Sequence, residues 1–251
     1  MTSTEKLLVL LGLIAMAFVP GCVQGPDSLT PPAVTRSPYD SSRGDVLFAV
    51  APLVNESGTT VFQPDMVSDA LVRSVSAVEG INCLPLNRTL VAMRGMGMRE
   101  LTSPREVSAL ADALGVDGLI VGTVTAYDPY DPPTLGLSLA LHAGPIGFSG
   151  SLNVEELRGT ITDPDAPDSL RYVESPIATT SEVFSARNHA VQMEMKRYAE
   201  GRSEPSAPRG WRMYQASMPL YTEFVTHAAV SSLLDQERLR LARARRPGSS
   251  R

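Results

Sequence analysis

Only two cysteines, three histidines and one tryptophan occur among the 251 residues. Two cysteines cannot staple a chain of this length, so a disulfide scaffold is excluded. No C-x-x-C pair or i, i+4 histidine pair is present, which removes the usual zinc frameworks. An excess of positive charge is also missing: 22 Lys and Arg against 27 Asp and Glu leave −5, contrary to what bulk nucleic-acid binding requires. The longest apolar run, residues 7–19, has 13 residues. As a helix it would extend about 20 Å against a hydrocarbon core of about 30 Å, too short to span. With 43% hydrophobic residues the chain can still build a core.

That run, within "LLVLLGLIAMAFVPGC", sits behind Lys6 and has the form of the apolar region of a secretory signal. Two cleavage sites compete. Ala15-Met16-Ala17 is a small-residue site, whereas Val19-Pro20-Gly21-Cys22 resembles the lipobox of bacterial lipoproteins, and only the second uses the whole apolar run. The resemblance implies that residues 1–21 are removed and that Cys22 becomes an acylated, palmitate-bearing N-terminus. Such a protein is anchored to a membrane without crossing it. Val23, rather than Asp, follows the cysteine, which by analogy with lipoprotein sorting favours the outer membrane over the inner. Cys83 then has no partner in the chain, and its setting "INCLPL" reads as a buried strand position.

Residues 22–44, rich in Pro, Ser and Gly, read as the lipidated cysteine and a flexible tether. An α/β domain is expected over residues 45–187, a helical C-terminal extension over 188–246 and a disordered tail over 247–251. "DVLFAVAPLVN" reads as one strand covered on both faces. A helix over 64–79 places Val67, Leu71, Val75 and Val78 on one stripe, and Gly80 closes it. A strand over 81–86 follows, so a parallel, right-handed crossover is expected. A short helix over 88–93 leads to a second helix with Ser103 as N-cap, Pro104 at its first position and Glu106 completing a capping box; Gly115 ends it. Residues 118–126 form a strand, and the alternation of Leu135, Leu137, Leu139 and Leu141 pairs the next strand with it as a hairpin. The expected fold is α/β, a mixed sheet of four to five strands in β-α-β-α-α-β-β order with helices packed on it. "SPIATTSEVFSA" supplies the possible fifth strand. Helices over 188–201 and 211–245 follow, and Pro219 either kinks the second or starts a new one.

In this order, "FAVAPLVNESG", "INCLPLNRTL" and "ALADALGVDGLIVGTVTAYDPYDPP" resemble the periplasmic domain of the curli-secretion and penicillin-binding-protein-activator lipoproteins and the N-terminal domain of TolB, over about residues 45–142. The resemblance implies envelope assembly work through protein contacts and no catalytic residues. It departs from the curli channel, because once residues 118–142 enter the sheet no free pair of barrel-forming strands is left.

Chemistry is hard to place. "GFSGS" lacks the second glycine of a nucleophile elbow around Ser149, and His142, His189 and His227 are scattered. Asp128 and Asp131 in "YDPYDPP" suit a turn better than a calcium loop. No metal site or cofactor is expected. Trp211, Tyr214, Met218 and Tyr221 recur at helical spacing, either as core or as a partner-docking stripe. Arg238, Arg240, Arg243, Arg245, Arg246 and Arg251 crowd the C-terminus, either as solvated cations at a helix end or as a contact for lipid headgroups or an acidic partner. The function expected is that of a non-enzymatic, lipid-anchored protein of the cell envelope, facing the periplasm, that binds and regulates or scaffolds an envelope assembly. An oligomeric subunit of a secretion or surface-structure machine is the alternative, and a periplasmic hydrolase the third.

Overall fold

The run "DVLFAVAPLVN" forms two strands instead of one: β1 (Val46–Val50) and β2 (Val54–Asn55). The computed structural model, which describes residues 31–40, 42, 44–144, 175–203 and 208–244, shows why. Pro52 has no amide proton, so the ladder stops there. Ala51 N–H still reaches Ile120 O at 2.9 Å, but Leu53 N–H turns to the Ser68 hydroxyl at 3.0 Å. That hydroxyl belongs to α1 (Pro64–Ser76), whose apolar stripe of Val67, Leu71 and Val75 is buried. β3 (Ile81–Cys83) returns parallel to β1, as the crossover requires. It is shorter than expected, because Pro85 caps α2 (Leu86–Gly95), which begins two residues earlier than the sequence suggests.

Ser103 starts α3 (Pro104–Leu114) with a complete capping box: Glu106 N–H donates to Ser103 Oγ at 3.3 Å, and Ser103 N–H to Glu106 Oε2 at 3.1 Å. Gly115 ends it in the left-handed region at φ 62°. β4 (Gly118–Asp128) and β5 (Thr134–Ala143) then pair antiparallel, and β6 (Ala178–Ser185) pairs antiparallel with β5. The sheet is mixed, with order β3-β1-β4-β5-β6 and β2 beside β4, six strands in all. The fold is therefore α/β with a helical C-terminal region, as expected, with one strand more because of the break at Pro52.

Both faces of the sheet carry helices. On one, Phe48, Val50, Ile120, Leu135, Leu137, Leu139 and Leu141 pack against α1 and the C-terminal helices; on the other, Ala49 and Leu119 meet Met93 of α2 and Val107 and Leu110 of α3. The C-terminal helices are α4 (His189–Ala199), α5 (Arg212–Ala216) and α6 (Met218–Ala244). Ser217 is extended (φ −132°, ψ 112°) between α5 and α6, so Pro219 lies in the first turn of a new helix and does not kink a continuous one. α6 is built into the same core as the sheet: Phe184 of β6 meets Phe224 edge-on at 6.1 Å. Between α1 and α6, the hydroxyls of Ser74 and Thr226 satisfy each other at 2.8 Å. Among the described residues no helix is long and apolar enough to cross a membrane.

Candidate functional site

Residues 31–40, read from their composition as part of a flexible tether, lie on the body as a strap. Two backbone bonds clip them to the end of the crossover, Ser37 N–H to Glu79 O at 2.9 Å and Glu79 N–H to Thr35 O at 3.0 Å. Arg36 Nε adds an ion pair to Glu79 at 2.9 Å. Gly80, at φ 86°, lets the strap come close, since a Cβ there would stand 3.1 Å from Ser37 Cβ. On its other side the strap meets α6: Thr35 and Ser231 hydroxyls lie 3.4 Å apart, and Arg238 Nη2 donates to Arg36 O at 2.8 Å. Arg202 Nη2 donates to Ala33 O at 3.2 Å.

Beneath the strap lies the best-buried charge of the described residues. Glu237 is 0% exposed and accepts two bonds from one guanidinium, Arg240 Nε at 2.6 Å and Nη2 at 2.7 Å. A bidentate pair of this kind gives both oxygens of a buried carboxylate a charge-assisted partner. Tyr39 completes the group; its ring stands 6.0 Å from Phe48. Its hydroxyl is held well above the ordinary phenol range, first by burial and then by the negative charge of Glu237.

The arginines continue along the same helix past Glu237. Arg238 pairs with Asp235, and Arg243 is exposed in the last turn. Arg245 and Arg246 lie outside the described residues, as do Cys22 and Ser149.

The aromatic stripe is not a surface. Tyr214 is 6% and Tyr221 0% exposed, and Trp211 and Met218 pack half-buried against the same core, so these four residues do not form the docking stripe that their spacing allowed. The break at Ser217 is the reason: it divides the stripe between two helices, and the rings turn inward onto Tyr198 and Phe224. Trp211 itself lies under the guanidinium of Arg212, 4.9 Å from the ring centre.

The remaining candidates are dispersed. Cys83 is half-buried, with its thiol pushed up to about 12 by burial, which leaves little reactive thiolate. His189 is exposed at the start of α4, whereas His142 is buried on β5 and held below its ordinary value by burial. His227, 4.9 Å from the Tyr198 ring, is pushed down to about 4, first by burial and then by Arg202. Among the described residues no three His, Cys, Asp or Glu side chains gather closely enough to hold a metal ion. Asp128 accepts from Tyr130 N–H at 3.1 Å, the local turn bond its position suggests. Two clefts were not apparent in the sequence. One of about 190 Å³ lies between α1 and the start of α6, lined by Val61, Met66, Arg73, Tyr127 and Met218. The other, of about 260 Å³, lies on the second face of the sheet among Pro52, Leu101, Val121, Thr123, Ser138 and Ala140. Both are made by residues far apart in the chain, and no local pattern announces them.

No protein-family model matches the chain, and no curated protein matches it in sequence. Among solved structures it is similar to lipoprotein GNA1162 from Neisseria meningitidis, at 14% identity over 59% of this chain and 91% of that one, with a TM-score of 0.37. It is similar to the C-terminal domain of LpoB from Escherichia coli at 10% identity, over 55% of this chain and 81% of that one, with a TM-score of 0.35. A PelC dodecamer from Paraburkholderia phytofirmans matches at 10% identity, over 83% of this chain and 94% of that one, with a TM-score of 0.33. At these identities and scores the likenesses name neither a family nor an activity.

Proposed function

We propose that the protein is a lipid-anchored component of the bacterial cell envelope, held by an acylated Cys22 and facing the periplasm, that works by binding and regulating or scaffolding an envelope assembly and not by catalysis. The observation that carries this reading is the lipobox Val19-Pro20-Gly21-Cys22 at the end of a 13-residue apolar run, too short to span a bilayer. The resemblance of residues 45–142 to envelope lipoproteins supports the second half of it. The test is fatty-acid labelling and cell fractionation of the wild type and Cys22→Ser. The wild type takes up label and stays with membranes; the variant loses the label. Unchanged labelling and unchanged membrane association in the variant would show the reading to be wrong.

A second reading, an oligomeric subunit of a secretion or surface-structure machine, is favoured by β6. It ends the strand order, and among the described residues nothing pairs with its outer edge.

A further inference from the structure

We propose that a third cleft, between the turn joining β4 to β5 and the start of α5, binds a small zwitterionic group, its anionic end on Arg209 and Arg212 and its ammonium end on Asp131. The cleft has a volume of about 330 Å³, and Asp131, Arg209, Arg212, Gln215 and Ala216 line it. The folded chain alone makes it, whatever holds the protein to a membrane.

The arginines share one wall because the backbone turns beneath them. Gly210, at φ 49°, lets Arg212 N–H reach Arg209 O at 3.0 Å, and Met213 N–H follows to Gly210 O at 3.1 Å. In a turn of this pitch residues three apart stand on the same side, which aligns Arg209, Arg212 and Gln215. Arg212 is held further by the Trp211 ring, whose centre lies 4.9 Å from the guanidinium. The opposite wall comes from a remote part of the chain, where Asp131 stands exposed between β4 and β5. Charges of opposite sign thus line one cleft without meeting. Among the described residues the side chains of Asp131, Arg209, Arg212 and Gln215 form no ion pair or hydrogen bond.

The signs select the ligand. A plain anion is repelled by Asp131 and a metal ion by two guanidiniums, whereas a zwitterion is attracted by both walls. Guanidinium forks suit a carboxylate or a phosphate, a carboxylate accepts from an ammonium, and the Gln215 carboxamide serves either end. Exposed ion pairs are individually weak, but the second contact of a two-ended ligand forms within one complex and carries no second cost of association. The free end of an amino acid and the phosphoethanolamine headgroup of a lipid both have this chemistry.

Trp211 is the one tryptophan of the chain and stands against Arg212, so its emission reports occupancy. The full chain is titrated at constant ionic strength with glycine, β-alanine and phosphoethanolamine, and with acetate, phosphate and methylamine as ions of one sign. The side-chain amide resonances of Gln215 are followed in parallel. At least one zwitterion is expected to bind about fivefold more tightly than any ion of one sign, the gain from one exposed ion pair. Asp131→Asn should bring that zwitterion and acetate to equal affinity, and Arg209→Gln should weaken both. Preference for glycine or β-alanine assigns the cleft to an amino-acid end, and preference for phosphoethanolamine to a headgroup; either upholds the proposal. Equal or tighter binding of acetate, phosphate or methylamine overturns it, as does a preference that survives Asp131→Asn. A lack of saturable change in both the emission and the amide resonances overturns the site itself. Both substituted residues are exposed, and the wild-type titrations decide the matter even if a variant fails to fold.

Discussion

Tyr221 is fully buried, its ring 5.9 Å from Phe224, and its hydroxyl finds no hydrogen-bond partner among the described residues. The two halves of this side chain pull in opposite directions. Burying the ring contributes about 2 kcal/mol, whereas burying a hydroxyl without a partner costs about 1 to 3 kcal/mol. Tyr221→Phe keeps the first and removes the second, so the protein should gain about 1 kcal/mol, read as a higher urea midpoint. A tyrosine on a docking surface would leave the midpoint where it was and weaken capture of a partner. Thr226, one turn on, shows the opposite case: its hydroxyl is equally buried but reaches Ser74 at 2.8 Å and Thr222 O at 2.9 Å. The same helix therefore carries both a satisfied and an unsatisfied buried hydroxyl, and only the second should be dispensable.

At the scale of elements, the strap and α6 depend on one buried charge. Arg240→Met would leave the Glu237 carboxylate, 0% exposed, without its guanidinium; breaking such a pair costs about 3 to 5 kcal/mol when both partners are buried. Arg240 is 42% exposed, and water reaching the site should reduce the loss to about 2 kcal/mol. Replacing both, Glu237→Leu with Arg240→Met, should restore most of it, and urea denaturation of the two single variants and the double closes the cycle. The strap was not legible in the sequence, because what holds it is remote: Arg36 and Glu79 stand 43 residues apart, and Arg36 and Arg238 stand 202 apart. Composition reads such a Pro- and Ser-rich stretch as tether, since its own residues supply no periodic apolar face. The sequence is legible where the chemistry is local. Ser103 and Glu106 cap a helix within four residues, Gly115 ends it, and the leucines of β5 alternate because a pleat does. The aromatic stripe lies between these cases. Its spacing was visible, but the extended residue at Ser217 that splits it was not. Likewise Arg238 is plain in the sequence, whereas its bond to the strap at Arg36 exists only in the folded chain.

For the whole molecule the open question is whether one chain or several make the working unit, and the sheet bears on it through its edge. β6 is eight residues long, enough to recruit a neighbouring strand. Its exposed side chains argue against that: Thr179, Ser181 and Glu182 are polar, and Val183, 61% exposed, is the one large apolar group among them. Glu182 is also turned toward α6, where Ser232 Oγ donates to it at 2.8 Å, and within β6 Thr180 Oγ1 donates to it at 3.4 Å. Strand edges carrying charge resist pairing, and permanent subunit interfaces are more apolar than this and bury about 2,000 Å² or more. The detergent-solubilised protein is therefore expected to scatter light with the mass of a single chain. A larger, discrete mass would transfer the weight to the machine-subunit reading. In that event Val183→Lys decides the route: a return to the single-chain mass would place the contact at the β6 edge, and an unchanged mass would move it to the second face of the sheet, around Val121, Thr123 and Ala140.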